Sequence, residues 1–208
     1  MNFYKIVLLT ILWCGVLSAA SEPYEKELKA ALRAHEFKKA AEIIEQYPSL
    51  KDSDVIFSAN WFEAASFLVE QGFDPLIKTD QLKRTTLMAV VRSDEFKASE
   101  YFLRKGVNVN AKDIYGHTAL YFSVGSRDGR LISLLLKNGA YPDSQNYVGE
   151  TPLMVAVKYF DTEAISLLIA SGANKGLRNA NSETAYDLAK VSEHNFPENI
   201  ISLLKIQD

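Results

Sequence analysis

Apolar and polar positions along this chain recur in blocks of fixed length. Thr85, Thr118, Thr151 and Thr184 are each 33 residues apart, and Gly106, Gly139 and Gly172 keep the same spacing. Two independent markers sharing one period signal a repeat architecture, which has to be read before any single element. Each threonine opens a similar apolar block: TTLMAV at Thr85, TALYFS at Thr118, TPLMVA at Thr151 and TAYDLA at Thr184. The pattern predicts a short helix in each, with the threonine hydroxyl capping free N–H groups of the first turn. Pro152 falls just inside, where its missing N–H costs nothing.

A second apolar block follows in each of three units, YFLRKG from Tyr101, LLLKNG from Leu134 and LLIASG from Leu167. Each runs into a glycine suited to the left-handed residue that stops a helix. Leu135, Leu136, Leu167 and Leu168 are expected in the core on their helical spacing. Polar connections then close on Gly116 and Gly149 with turn chemistry. The unit is thus two antiparallel helices and a long turn, and because one pair cannot bury its apolar face alone, units must stack.

These residues resemble the ankyrin repeat, in which Thr-Pro-Leu is followed by an alanine, with Gly-Ala and Asp-x-x-Gly around the hairpin. Thr151-Pro152-Leu153-Met154-Val155-Ala156, Gly172-Ala173-Asn174 and Asp113-Ile114-Tyr115-Gly116 carry the resemblance. It implies an all-α fold, an ankyrin-repeat solenoid of about five to six stacked helix-turn-helix units joined by hairpin loops. A tetratricopeptide or Sel1-like array is the rival. The tetratricopeptide period is 34, and it has neither the Thr-Pro-Leu opening nor a long hairpin between units.

The organisation expected is a leader at 1–20 and a repeat domain at 21–208, with clear repeats at 84–116, 117–149 and 150–182. The edges are irregular. Residues 24–50 form an N-terminal cap, with Ala31, Phe37, Ile43 and Ile44 as core candidates. Residues 51–83 keep the second helix, WFEAASFLVEQG, without the threonine opening. The C-terminal cap, 183–208, has extra residues around Asn195-Phe196-Pro197.

Composition adds an address and removes several function classes. A short basic start, an apolar run from Ile6 to Leu17 and the small residues Ser18-Ala19-Ala20 read as a cleaved signal peptide. The run is short of the roughly 20 residues that cross a bilayer, so no stable membrane insertion is expected after cleavage; an uncleaved anchor is the alternative. Cys14 is the only cysteine, so neither a disulfide framework nor a cysteine metal site can form within the chain. Lipidation at Cys14 is disfavoured by Trp13 just before it. Net charge is −3 with both signs interspersed, which offers no basic stripe for nucleic acid.

No catalytic constellation is apparent, and no enzyme is expected. His35, His117 and His194 fall in different units, and no G-x-S-x-G elbow is present. Gly125-Ser126-Arg127-Asp128-Gly129 reads as the loop between two helices. No phosphate loop follows a strand. Asp143-Ser144-Gln145-Asn146 with Gly149-Glu150 has too few carboxylates, wrongly spaced, for a calcium loop. The reading is therefore without cofactor and without metal, and His117 is taken as a solvated turn residue or a hydrogen-bonding partner of the neighbouring hairpin.

The ankyrin resemblance implies a protein partner on the concave side, met by hairpin tips and by the outward side of each first helix. Residues just before each threonine, and seven or eight after it, should face that way. They include Gln81, Leu82, Arg84 and Arg92, then Ile114, Tyr115 and His117, then Tyr147, Val148, Glu150, Lys158 and Tyr159. The partner-binding set is Arg84, Arg92, Tyr115, His117, Tyr147, Glu150, Lys158 and Tyr159, since tyrosine offers rigid area plus a hydroxyl. Stacking of Tyr115 and Tyr147 along the hairpin row is the competing reading. An array behind such a leader is similar to exported bacterial ankyrin proteins, with the periplasm as its location. The function implied is a non-catalytic binding module, an inhibitor or immunity protein that occludes a toxic or lytic enzyme; the alternative is a scaffold or stress-related partner of an envelope protein.

Overall fold

A computed structural model describes residues 23–48, 62–72, 78–79, 82–126, 129–192 and 196–206. The leader with Cys14, residues 51–61 of the irregular unit, Gln81, Arg127, Asp128, His194 and Asn195 lie outside the described residues. The chain divides into two compact units, Met1–Asp74 and Pro75–Asp208.

In the first unit, α1 occupies 23–33, α2 Phe37–Gln46 and α3 Phe62–Glu70. Leu28, Ala31, Leu32, Ala40, Ile43, Ile44 and Leu68 form its core, with Phe37 and Phe67 packed against it. Phe37 is thus partly rather than fully buried. Tyr24 and Tyr47 stack with ring centroids 3.7 Å apart. Glu36, which precedes α2, makes no side-chain capping bond.

The second unit starts with a two-residue antiparallel pair, β1 (Lys78–Thr79) and β2 (Arg84–Thr85), a small departure from a purely helical reading. Helix pairs follow: α4 (Thr86–Arg92) with α5 (Phe96–Arg104), and α6 (Ala119–Ser123) with α7 (Gly129–Lys137). Then come α8 (Pro152–Lys158) with α9 (Thr162–Ala170), and α10 (Ala185–Val191) with α11 (Glu198–Leu204). First helices α4, α6, α8 and α10 pack in one row, and second helices α5, α7, α9 and α11 in another. This two-layer stack is an all-α ankyrin-type solenoid.

The periodic threonines do what their spacing predicts. Thr85, Thr118, Thr151 and Thr184 are buried N-caps that accept hydrogen bonds from the backbone N–H of Met88, Tyr121, Met154 and Asp187. Gly106, Gly139 and Gly172 are left-handed, at φ of +81°, +84° and +87°. A further 33-residue series emerges at Asp113, Asn146 and Asn179. Each accepts from the backbone N–H two and four residues ahead: Tyr115 and His117, Val148 and Glu150, Asn181 and Glu183. The side chain holds the tip of each hairpin closed, as a short polar acceptor does in an Asx turn.

Successive hairpins are joined edge to edge. Ile114 N–H donates to Leu82 O, Tyr147 N–H to Tyr115 O, and Ala180 N–H to Val148 O, each at 3.0 Å. The hairpins approach closely enough that a Cβ on Gly116 would lie 2.9 Å from the Tyr147 ring, and one on Gly149 3.0 Å from Asn179 Cα. Both glycines are also left-handed, so both constraints exclude side chains there. Asn174 N–H donates to Asp143 Oδ1 at 2.7 Å, and Gln145 Nε2 donates to Arg178 O at 3.0 Å. The polar residues that faintly resembled a cation loop are thereby engaged in inter-repeat register.

Leu135 and Leu168 are buried, while Leu136 and Leu167 are only half-buried. The expectation of four core leucines fails for two of them because adjacent helical positions point about 100° apart, so one of each pair turns from the core. Leu136 and Leu167 instead line a groove of about 320 Å³ between α7 and α9.

Candidate functional site

The predicted contact residues sit on the hairpins and the first-helix row of the second unit, and they are connected. Arg92 ends α4, Lys158 ends α8, and Tyr159 follows it. All three occupy the seventh or eighth position after an N-cap threonine and are exposed. The equivalent place after Thr118 is Gly125, and the missing side chain lets the Tyr159 ring lie over it, 3.3 Å from where a Cβ would be. Gly125 N–H also donates across repeats to Asp161 Oδ2 at 3.1 Å, while Asp161 Oδ1 caps α9 by accepting from Ala164 N–H.

Tyr115, Tyr147 and Tyr159 are 50%, 72% and 62% exposed. The row position of Tyr147 comes from its backbone bond to Tyr115 and its ring packs against Gly116, so its outer face stays open. Ile114 and Val148, next to Tyr115 and Tyr147 in the sequence, are exposed as well, and Leu82 is half-buried.

His117 is not a free turn residue. It is half-buried, its Nδ1 lies 3.3 Å from Asp113 Oδ2 within its own hairpin, and its ring stacks on Tyr121 at 3.9 Å. The expected alternative, a hydrogen bond to the neighbouring hairpin, is therefore replaced by one inside the same hairpin. Tyr115 tilts against the other side of this group at 5.7 Å from His117.

Two residues missed by the spacing argument, Tyr121 and Phe122, form the middle of this cluster. Phe122 meets His117 edge-on at 5.5 Å and Tyr121 at 5.7 Å. Arg84 and Arg92 from the preceding repeat place their Cζ atoms 5.7 and 5.5 Å from the Phe122 centroid, within cation–π range. The signal was present in TALYFS. Its Tyr121 and Phe122 replace the Met88 and Ala89 or Met154 and Val155 of neighbouring blocks, and Met88 and Met154 are buried whereas Tyr121 and Phe122 are half-buried.

Burial holds the Tyr121 phenol above its ordinary value of 10.0, and the charges of Glu150 and of Asp113, together with Tyr159, add to that shift. Glu150 in turn makes an ion pair with Lys158 and accepts from Asn146 Nδ2 at 3.1 Å. Arg84, Arg92, Phe122, His117, Tyr121, Glu150, Lys158 and Tyr159 thus form one strip across three repeats, rimmed by Tyr115 and Tyr147. Such a strip offers aromatic area and cations, a composition common at protein interfaces. Among the described residues, no group of three or more His, Cys, Asp or Glu side chains could hold a metal ion. Among them, too, no helix is long and apolar enough to cross a membrane.

A search of curated proteins finds no match to this chain. The family model of ankyrin repeats in three copies matches residues 56–146, and the single ankyrin-repeat model matches residues 148–180. Together with the threonine caps, the closed hairpin row and the two helix layers, these matches over more than half its length show that the chain belongs to the ankyrin-repeat family.

Proposed function

We propose that this chain binds a protein partner on the concave side of its repeat stack, through the strip from Arg84 to Tyr159, and does no chemistry on it. Ankyrin repeats are protein-interaction modules, generally non-catalytic, and the family membership supports a protein partner. The observation that carries the choice of surface is the exposure of Tyr115, Tyr147 and Tyr159 on one side of three consecutive repeats. Large rigid rings with a polar tip lose little rotamer freedom on binding and supply much of the contact energy at protein interfaces.

The reading of residues 1–20 as a cleaved leader supports a periplasmic address, and with it the role of an inhibitor or immunity protein that covers a toxic or lytic enzyme. A scaffold for an envelope protein uses the same surface. Gene deletion separates them: an inhibitor's loss harms cells only when the enzyme's gene is present, whereas a scaffold's loss harms them regardless.

The binding reading is tested by affinity capture from the envelope fraction, comparing the tagged wild type with a Tyr115→Ala, Tyr147→Ala, Tyr159→Ala variant whose circular dichroism is native. A protein retained by the wild type and lost by the variant is the expected result. Equal retention by both would move the contact surface elsewhere.

A further inference from the structure

The strip carries an imbalance of charge that bears on the partner's chemistry. The carboxylate of the strip and the one beneath it are already engaged: Glu150 is paired with Lys158 and Asn146, and buried Asp113 accepts from Tyr115 N–H, His117 N–H and the His117 ring. The strip's two arginines are not. Among the described residues, neither Arg84 nor Arg92 pairs with a carboxylate, and both guanidiniums instead gather around the single ring of Phe122. Lys83, exposed at the same hairpin tip in a left-handed conformation, adds a third cation.

Like charges gathered at one ring repel each other, and the attraction of an aromatic face for a cation only partly offsets this. Arg84 adds a second cost. Its Nε–H is shielded from water and meets no hydrogen-bond acceptor, although buried polar groups in folded proteins almost always find one. Elsewhere in the same unit, an arginine without such a constraint does pair: Arg104 meets Glu100 at 2.6 Å. Asp94 and Glu95 follow Arg92 closely in the sequence, yet neither forms an ion pair with it.

We propose that Arg84 and Arg92, held by Phe122, receive a carboxylate of an acidic segment of the protein partner. This rests on the protein-binding reading above and names the chemistry the partner must bring. A planar guanidinium matches a carboxylate through two parallel N–H bonds, which Arg84 offers from its Nη atoms because its Nε is shielded, and both guanidiniums already lie beside Phe122. Charge complementarity of this kind selects the partner and speeds encounter.

The test uses three probes at equal ionic strength: a capped tetraglutamate peptide, capped tetraglutamine and inorganic phosphate. The readout is the 15N shift of the arginine Nε–Hε groups. Tetraglutamate is expected to give saturable shifts at Arg84 and Arg92 while leaving Arg104 unmoved, and Arg92→Gln to weaken it about tenfold, a difference of about 1.4 kcal/mol. Arg92 is exposed, so this variant keeps the fold even if Arg84→Gln does not. Equal shifts with tetraglutamine, no saturable shift, or a response to phosphate alone would overturn the proposal. So would a captured partner that is lost by the tyrosine variant yet held by Arg92→Gln with unchanged affinity, a result that leaves the protein-binding reading standing. If the tyrosine variant captures as well as wild type, that reading fails first.

Discussion

The helix pair α1–α2 and the repeats from Thr85 to Val191 solve the same packing problem by different means. In α1–α2, the turn with His35 left-handed is the one that Asp94 and Phe160 make between α4 and α5 and between α8 and α9, α2 begins at Glu36 without a side-chain cap as α5 does at Glu95, and stacked tyrosines close one side. In the repeats, every first helix begins at a buried threonine cap, and hairpin tips are tied by Asp113, Asn146 or Asn179. The first arrangement joins an apolar core with its turn bonds and the ion pair of Lys39 with Glu27, whereas the second adds threonine caps and hairpin-tip bonds at fixed spacing. Directional bonds set the register of the hairpins, and register is what lines up side chains from three repeats into one strip.

Substitutions can break this contrast in order of size. Leu168→Ala should cost about 2–5 kcal/mol in urea unfolding, since Leu168 is fully buried in α9 and the stack closes a cavity only in part. A loss below 1 kcal/mol would mean that α9 repacks freely. Asn146→Ala leaves the N–H groups of Val148 and Glu150 without their acceptor and should cost roughly 1–3 kcal/mol. It should also weaken partner capture, because Tyr147 loses its hairpin support; stability lost without any effect on capture would detach the tip from the contact surface.

Capping gives the sharpest paired comparison. Thr151→Ala removes the bond from Met154 N–H and should cost about 1 kcal/mol. Glu36→Ala, at the uncapped start of the second helix α2, removes no capping bond and should stay within about 0.5 kcal/mol. Equal costs would erase the distinction between capped and uncapped helix starts.

The smallest effect is on pH dependence. The Tyr121 phenol is raised in the folded chain, so its stabilising contribution is complete below its ordinary value of 10.0 and is lost as pH climbs through the raised folded value. Urea midpoints at about pH 8 and about pH 11 should therefore differ less in Tyr121→Phe than in the wild type. Tyrosinate absorbance should show late titration from Tyr121 and Tyr47, of which the Tyr121 share disappears in the variant.

Much of this structure was legible because a repeat writes the same instruction several times. Thr85, Thr118, Thr151 and Thr184 announce helix starts, and the glycines announce their ends, by local chemistry that tertiary packing does not override. The Asp113, Asn146 and Asn179 series has the same period, yet the change from Asp to Asn hid it from a reading based on residue identity. Phe122 and Tyr121 were hidden for another reason. The spacing argument looked only at positions just before each threonine and seven or eight after it, whereas Tyr121 and Phe122 lie three and four after Thr118 and join the surface beside Arg84 and Arg92 of the neighbouring repeat. Leu136 and Leu167 show the converse error, in which an apolar run was taken as uniformly buried although one side of a helix must face outward.

Amide hydrogen exchange of the protein, alone and with its captured partner, tests the central claim most directly. Slowed exchange at residues 114–117, 121–122, 147–150 and 158–159, with the second-helix row α5, α7 and α9 unchanged, is the predicted result. Protection confined to α7 and α9, around the groove lined by Leu136 and Leu167, would contradict it and place recognition on the opposite layer of the stack.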